Sequence, residues 1–137
     1  MGDAPAKPLQ GISILVVDDN LDALDLLKAT LTYYGAFIVT AEDGRGALAQ
    51  LGRVRVDVII SDISMPGFSG LDFIRAVRAL SDNPGRNTPA IALTAFNEPT
   101  QRRQALEVGF QAYLLKPFNA DALVREIIRL TSPGPVA

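Results

Sequence analysis

Short apolar runs alternate with amphipathic stretches from residue 12 to about residue 130. Residues 12–17 form the first run, rich in Ile and Val, and it ends in Asp18, Asp19 and Asn20. Residues 37–41 form a second run. A third, built on Val56, Val58, Ile59 and Ile60, stops at Ser61 and Asp62, and Met65, Pro66 and Gly67 then force a turn. Residues 90–93 form a fourth run ending in Thr94, and residues 112–115 a fifth ending in Lys116 and Pro117. Apolar runs of this length between turn formers predict strands. Between them the spacing changes to that of helices. Leu24, Leu27 and Leu31 share one stripe of a helix starting near Leu21, with Asn20 or Asp19 as its N-cap. A short helix is expected over residues 45–51. Leu71, Ile74, Val77 and Arg78 mark another, reaching about Leu80. A fourth covers residues 100–108 and a fifth residues 120–130. The fifth has Asn119 as N-cap, with Phe118 and Leu123 as a hydrophobic staple. Gly35, Gly52 and Gly109 follow three of the helices and are expected to close them in the left-handed conformation.

Five strands alternating with five helices predict an α/β fold, a doubly wound parallel sheet with right-handed crossovers. The third run is nearly continuous and apolar, which suits a central strand buried on both faces. In such a sheet every strand ends on the same edge, the ligand side of open α/β folds. Asp62 alone could be a turn residue and nothing more. It has company, however: Asp18 and Asp19 from the first strand, Thr94 from the fourth and Lys116 from the fifth meet on that edge.

With 137 residues the chain suits one domain with a core that needs no staples. The net charge of −2 gives no reason to expect direct nucleic-acid binding or an anionic membrane as partner. The sequence holds no His and no Cys, which excludes a Ser-His-Asp triad, His-ligated zinc, disulfides and thiolate chemistry. No run approaches the ~20 apolar residues of a membrane span. Residues 1–10, rich in Ala, Pro and Gly, read as a flexible leader, and residues 132–137 as a loose tail. That leaves residues 11–131 as the folded unit.

Two carboxylates about 4 Å apart repel by roughly 4 kcal/mol at an effective dielectric of 20. A cluster of three is therefore frustrated unless a cation binds. An all-oxygen set favours Mg²⁺ held by a few carboxylates, and Lys116 and Thr94 suit an anionic group beside it.

These residues resemble the receiver domain of two-component response regulators, the family of the small chemotaxis regulator. The resemblance rests on Asp18 and Asp19, on Asp62 followed by Met65, Pro66 and Gly67, on Thr94 and Ala95, on Tyr113, and on Lys116 and Pro117. It implies a sheet of order 2-1-3-4-5 and a cis Lys116–Pro117 bond. Asp62 would accept a phosphoryl group from a phosphohistidine of a histidine kinase or histidine phosphotransfer protein. Asp19, Asp62 and the Ser64 backbone carbonyl would bind Mg²⁺ directly, with Asp18 helping through water. Lys116 would pair with Asp62, Thr94 would donate to the phosphoryl group, and Tyr113 would report the change. The resemblance further implies a cytoplasmic signalling protein that catalyses its own phosphorylation and dephosphorylation. Its switch face is the fourth helix, fifth strand and fifth helix, and that face allows a weak homodimer. Ser64 and Phe96 occupy family-variable positions along the path of attacking water, where Phe96 would shield the acyl phosphate.

Rival readings are weaker. Gly44, Gly46 and Ala49 fit a dinucleotide-binding pattern, but they follow the second strand and Glu42 and Asp43 precede them. A phosphohydrolase of the haloacid-dehalogenase type would want an acid two residues after Asp62, where Ser64 stands. A degenerate receiver would lack a site residue, and none is missing. Arg102 and Arg103 read as a solvated face, Tyr33 and Tyr34 as core and rim packing. Both a stand-alone regulator and the receiver of a hybrid histidine kinase fit this sequence.

Overall fold

The structure is a computed structural model and describes residues 7–132. Five parallel strands form one sheet: β1 (Ser13–Val17), β2 (Phe37–Ala41), β3 (Val58–Ser61), β4 (Ala90–Thr94) and β5 (Ala112–Leu115). Their order is β2-β1-β3-β4-β5, as expected. The helices are α1 (Leu21–Tyr33), α2 (Gly44–Leu51), α3 (Gly70–Arg78), α4 (Pro99–Val108) and α5 (Ala120–Thr131), with a short 3₁₀ turn at Pro84–Asn87.

Successive strand residues face opposite sides, so one sheet feeds two cores. Ile14, Val16, Val58, Ile60, Ile91 and Leu93 pack against α1 and α5. Leu15, Val17, Ile59, Ala90 and Ala92 pack against α2, α3 and α4. On α1 the stripe of Leu24, Leu27 and Leu31 is buried, and each such side chain contributes about 1.5–3 kcal/mol over exposure. A cap contributes about 1 kcal/mol, so packing rather than capping seats α1 on the sheet. The caps still set where helices begin. Asn20, not Asp19, caps α1 by accepting from the Ala23 N–H, and Asn119 caps α5 by accepting from the Ala122 N–H. Phe118 packs against the core that contains Leu123, as a staple requires.

Two expectations are corrected. Gly35 and Gly109 are left-handed, at φ 101° and 120°, but Gly52 is right-handed at φ −76°. No strand follows Gly52 directly, and the helical turn runs on as the Arg53 and Val54 N–H groups bond the Gln50 carbonyl. The leader is the second. Residues 1–6 lie outside the described residues, but Leu9 is fully buried in the α1–α5 core and its N–H donates to the Tyr34 carbonyl. The folded unit therefore begins before Gly11. Residues 133–137 of the expected tail also lie outside the described residues.

Candidate phosphoacceptor site

The sheet register builds the site. Val17 pairs with Ser61, so Asp18 and Asp62 leave adjacent strands side by side. The Asp62 N–H donates to the Val17 carbonyl at 2.9 Å, which extends the ladder up to the acid itself. Across the sheet, the Lys116 N–H donates to the Thr94 carbonyl at 2.7 Å and sets the end of β5 beside that of β4. The Lys116–Pro117 bond is cis. On the far side of Asp62, α3 begins in direct backbone contact. A Cβ on Gly70 would collide with the Asp62 carbonyl oxygen and lie 2.8 Å from Ile63 Cα. Only glycine lets α3 start so close to the acid.

Carboxylate oxygens of Asp18, Asp19 and Asp62 all lie within 4.8 Å of one another. Asp18 is 1% exposed and Asp62 8%, whereas Asp19 faces solvent. Lys116 Nζ lies 2.7 Å from Asp18 Oδ2 and 3.4 Å from Asp62 Oδ2. The expected pairing with Asp62 is thus the longer of two, and Asp18 holds the lysine more closely. Asp18 is the more buried acid, and its other oxygen is fixed by the Asn20 N–H at 3.0 Å. The Ser64 N–H donates to Asp62 Oδ1 at 3.2 Å.

Burial pushes the Asp62 carboxyl above its ordinary value, against the pull of Lys116, and Asp18 adds to the rise. Burial works to lower the Lys116 ammonium, but Asp18 and Asp62 together hold it above the usual lysine range. The pair is therefore a charged lysine beside an acid that is reluctant to ionise. All the donors are oxygen, two of the three acids are buried, and they crowd within bonding range of one small centre, so the set fits a hard divalent cation such as Mg²⁺.

Thr94 is fully buried, and its Oγ1 accepts from the Phe96 N–H at 3.3 Å. Tyr113 Oη lies 2.7 Å from the Phe96 carbonyl oxygen and 2.9 Å from the Gln101 carboxamide. That same carboxamide is 3.5 Å from Thr94 Oγ1. Arg102 and Arg103 are both exposed, as a solvated face requires, and the guanidinium of Arg102 also lies over the Tyr113 ring, 5.9 Å from its centroid. Burial, with Glu98 next, holds the Tyr113 phenol above its usual range, and it stays a donor. The Phe96 ring is 54% exposed. At the supposed dinucleotide turn, Asp43 accepts the Gly46 N–H and the Phe68 ring fills the space against Gly44, so packing and capping explain those glycines. Tyr33 is 73% exposed and stacks edge-on against the half-buried Tyr34, which makes it rim and not core.

Residues 14–128 match the family model described as response regulator receiver domain. The chain belongs to this family. It is a receiver domain of two-component signalling. The solved structure of the Vibrio cholerae chemotaxis protein CheY4 is 37% identical and superposes with a TM-score of 0.81, covering 87% of this chain and 98% of that one. The receiver domain of the sensor histidine kinase PA1611 from Pseudomonas aeruginosa, solved with a magnesium ion coordinated in its active-site cleft, is 34% identical at a TM-score of 0.81. That likeness covers 90% of this chain and 99% of the neighbour. The probable transcriptional regulatory protein TcrX of Mycobacterium tuberculosis is 37% identical over 125 residues, 89% of this chain. This receiver domain spans 52% of the length of TcrX and 10% of other curated relatives that it matches.

One consequence for the receiver domain follows from burial. Asp62 ionises less readily folded than unfolded, so its charge costs stability at neutral pH. That cost is relieved as pH falls through the raised Asp62 value toward the ordinary 3.8. Asp62→Asn should therefore be more stable than wild type at pH 7 in chelator, by about 1 kcal/mol or a few degrees of midpoint. The difference should close as pH drops toward 3.8. Thermal melts of both proteins across that range check it, and a less stable Asn variant at pH 7 would contradict it.

Proposed function

We propose that Asp62 accepts a phosphoryl group from a phosphohistidine of a histidine kinase or a histidine phosphotransfer protein. The observation that supports this most is the acid pair at the ends of β1 and β3 with Lys116 set between them, 2.7 Å and 3.4 Å away. An Asp62 oxygen forms the new bond to phosphorus, the donor's N–P bond breaks, and its electron pair stays on the imidazole. The sequence holds no His, so the donor histidine comes from another protein or another domain. Such a transfer needs placement and charge neutralisation more than proton shuttling. Lys116 supplies a fixed positive charge to the phosphoryl oxygens, and the Thr94 hydroxyl donates to one of them.

Asp18, Asp19, Asp62 and the Ser64 backbone carbonyl would hold Mg²⁺. When bound, Mg²⁺ neutralises the crowded carboxylates and the charge of the incoming group. Water attack on the acyl phosphate returns the Asp62 carboxylate and inorganic phosphate, so the chain promotes its own phosphorylation and dephosphorylation. Ser64 offers no carboxyl for acid–base turnover, which favours a stoichiometric phosphoprotein over a phosphohydrolase. The readout surface is α4, β5 and α5, where a weak homodimer would form, and the switch pairs the buried Thr94 at the end of β4 with Tyr113 on β5. The cytoplasm, where phosphohistidine donors of this type reside, is the proposed location. Among the described residues no helix is long and apolar enough to cross a membrane.

With acetyl phosphate and Mg²⁺, intact-mass spectrometry should show one added phosphoryl group. Asp62→Asn should show none, and chelation should suppress labelling of the wild type. Labelling of the Asn variant at the wild-type level would overturn the assignment of Asp62.

A further inference from the structure

The first turn of α4 converges on both hydroxyls of the β4–β5 pair. Glu98 fixes that turn, its carboxylate accepting from the Thr100 and Gln101 N–H groups at 2.9 Å each. Gln101 then reaches back to the sheet, and its carboxamide meets Tyr113 Oη at 2.9 Å and Thr94 Oγ1 at 3.5 Å.

Counting hydrogens decides which end of the carboxamide faces them. A hydroxyl carries one hydrogen and two acceptor sites. The Phe96 carbonyl can only accept, so its 2.7 Å contact uses the Tyr113 hydrogen. An amide oxygen at 2.9 Å from the same hydroxyl would then meet it oxygen to oxygen, with no hydrogen between them. That oxygen would also claim the one hydrogen of Thr94. A half-turn about the last bond of Gln101 exchanges oxygen for nitrogen and moves nothing else, and the surrounding network distinguishes the two. The NH₂ group in that place gives one hydrogen to Tyr113 and the other to Thr94. Thr94 Oγ1 also accepts the Phe96 N–H at 3.3 Å, so both its acceptor sites are filled and its own hydrogen is unclaimed.

We propose that Gln101 is a positioning residue whose side-chain NH₂ donates to Thr94 and Tyr113 together and keeps the Thr94 hydrogen free for a phosphoryl oxygen on Asp62. This rests on the reading of Asp62 and Thr94 given above. It also supplies the link between the two switch hydroxyls. A shift of Thr94 toward Asp62 pulls one arm of the amide, and the other arm holds Tyr113. Arg102 covers the ring from its face, so the same helical turn grips both the oxygen and the ring of Tyr113.

The test uses beryllofluoride, a mimic of the acyl phosphate, titrated with Mg²⁺ onto the full chain and followed by NMR. Gln101→Glu keeps the length but only accepts at neutral pH, so it captures the Thr94 hydrogen. Its beryllofluoride affinity should fall about tenfold, as expected for losing a hydrogen bond to a charged group. Gln101→Leu leaves that hydrogen unclaimed and should fall less, about threefold. As pH is lowered toward the carboxyl value, about 4.3 when unperturbed, the protonated Glu can donate and should recover relative to Leu at the same pH. A Glu variant that binds like wild type, or that tracks Leu at every pH, would overturn the proposal. A second measurement needs no variant. In the wild type the Gln101 side-chain NH₂ protons should show nuclear Overhauser effects to both the Thr94 methyl group and the Tyr113 ring, and their absence would also overturn it. Thr94→Ala separates the two readings. If it binds beryllofluoride like wild type, the role of Thr94 fails and this inference with it; if it weakens while both Gln101 variants do not, only the inference fails.

Discussion

Replacing Arg78 with methionine should cost about 2–4 kcal/mol of stability and lower the thermal midpoint by roughly 10 °C. Arg78 is the last residue of α3, and its guanidinium bridges two other segments, one at Arg86 and Thr88 and one at Gly109 and Gln111. Nη1 donates to the Thr88 carbonyl at 2.6 Å and the Arg86 carbonyl at 2.9 Å. Nη2 and Nε donate to the Gly109 carbonyl at 2.7 Å and 3.2 Å, and Nη2 also reaches the Gln111 side chain at 3.3 Å. Among the described residues no carboxylate lies within salt-bridge range of it, so carbonyl dipoles alone compensate the partly buried charge. Burial lowers its pKa accordingly. Methionine fills the stem's space but leaves the Thr88 and Gly109 carbonyls without their donor. Lysine should recover little, because one ammonium cannot reach carbonyls on both sides as the planar fork does. Circular-dichroism melts of the Met and Lys variants measure this. A Met variant within about 1 kcal/mol of wild type would show that water replaces the guanidinium. Phosphoryl labelling per folded molecule should be unchanged in either variant, since Arg78 touches no residue of the site.

Arg78 also marks the boundary of what could be read in advance. It lies on the same helical stripe as Leu71, Ile74 and Val77, and that stripe predicted α3 without assigning the arginine any task. Its partners are mainly carbonyl oxygens 8 to 31 residues away, and a carbonyl has no signature in the sequence. Gly109 shows the same limit. Its place after α4 was legible, but the reason that a side chain is excluded is double: a φ of 120°, and Arg78 Nε 2.8 Å from where a Cβ would sit. Leu9 was missed because one apolar residue within a Pro- and Ala-rich stretch has no period to betray it. By contrast, Asp18, Asp19, Asp62, Thr94 and Lys116 could be placed together from sequence, because a parallel sheet gathers its strand ends on one edge whatever the details of packing. Gln101 could not. A glutamine on a polar helix gives no hint that it turns inward, and the contact exists only once α4 lies against β5.

Replacing Lys116 with glutamine should move two properties of the proposed phosphoacceptor site in opposite directions. Three carboxylates against one ammonium leave the edge with excess negative charge, and Lys116 moderates it from 2.7 Å and 3.4 Å. Without the ammonium, Asp18 and Asp62 face each other unscreened, and a divalent cation gains what the lysine had supplied. Coulomb attraction at a few ångströms and an effective dielectric near 20 is worth several kcal/mol, partly lost to solvent relaxation. Mg²⁺ affinity should therefore rise by about tenfold, read by calorimetric titration. The phosphoryl group meets the opposite situation. Its oxygens bring more negative charge to the same edge, and the one fixed cation meant to receive them is gone. Removing a single preorganised donor to developing charge typically costs about 10²–10³ in rate, so labelling by acetyl phosphate at saturating Mg²⁺ should slow by that factor. A variant that merely unfolds the site would lose both properties together. Tighter Mg²⁺ with slower labelling therefore identifies electrostatic competition at Asp18 and Asp62. Weaker Mg²⁺ binding, or labelling at the wild-type rate, would mean that Lys116 serves only to anchor the end of β5.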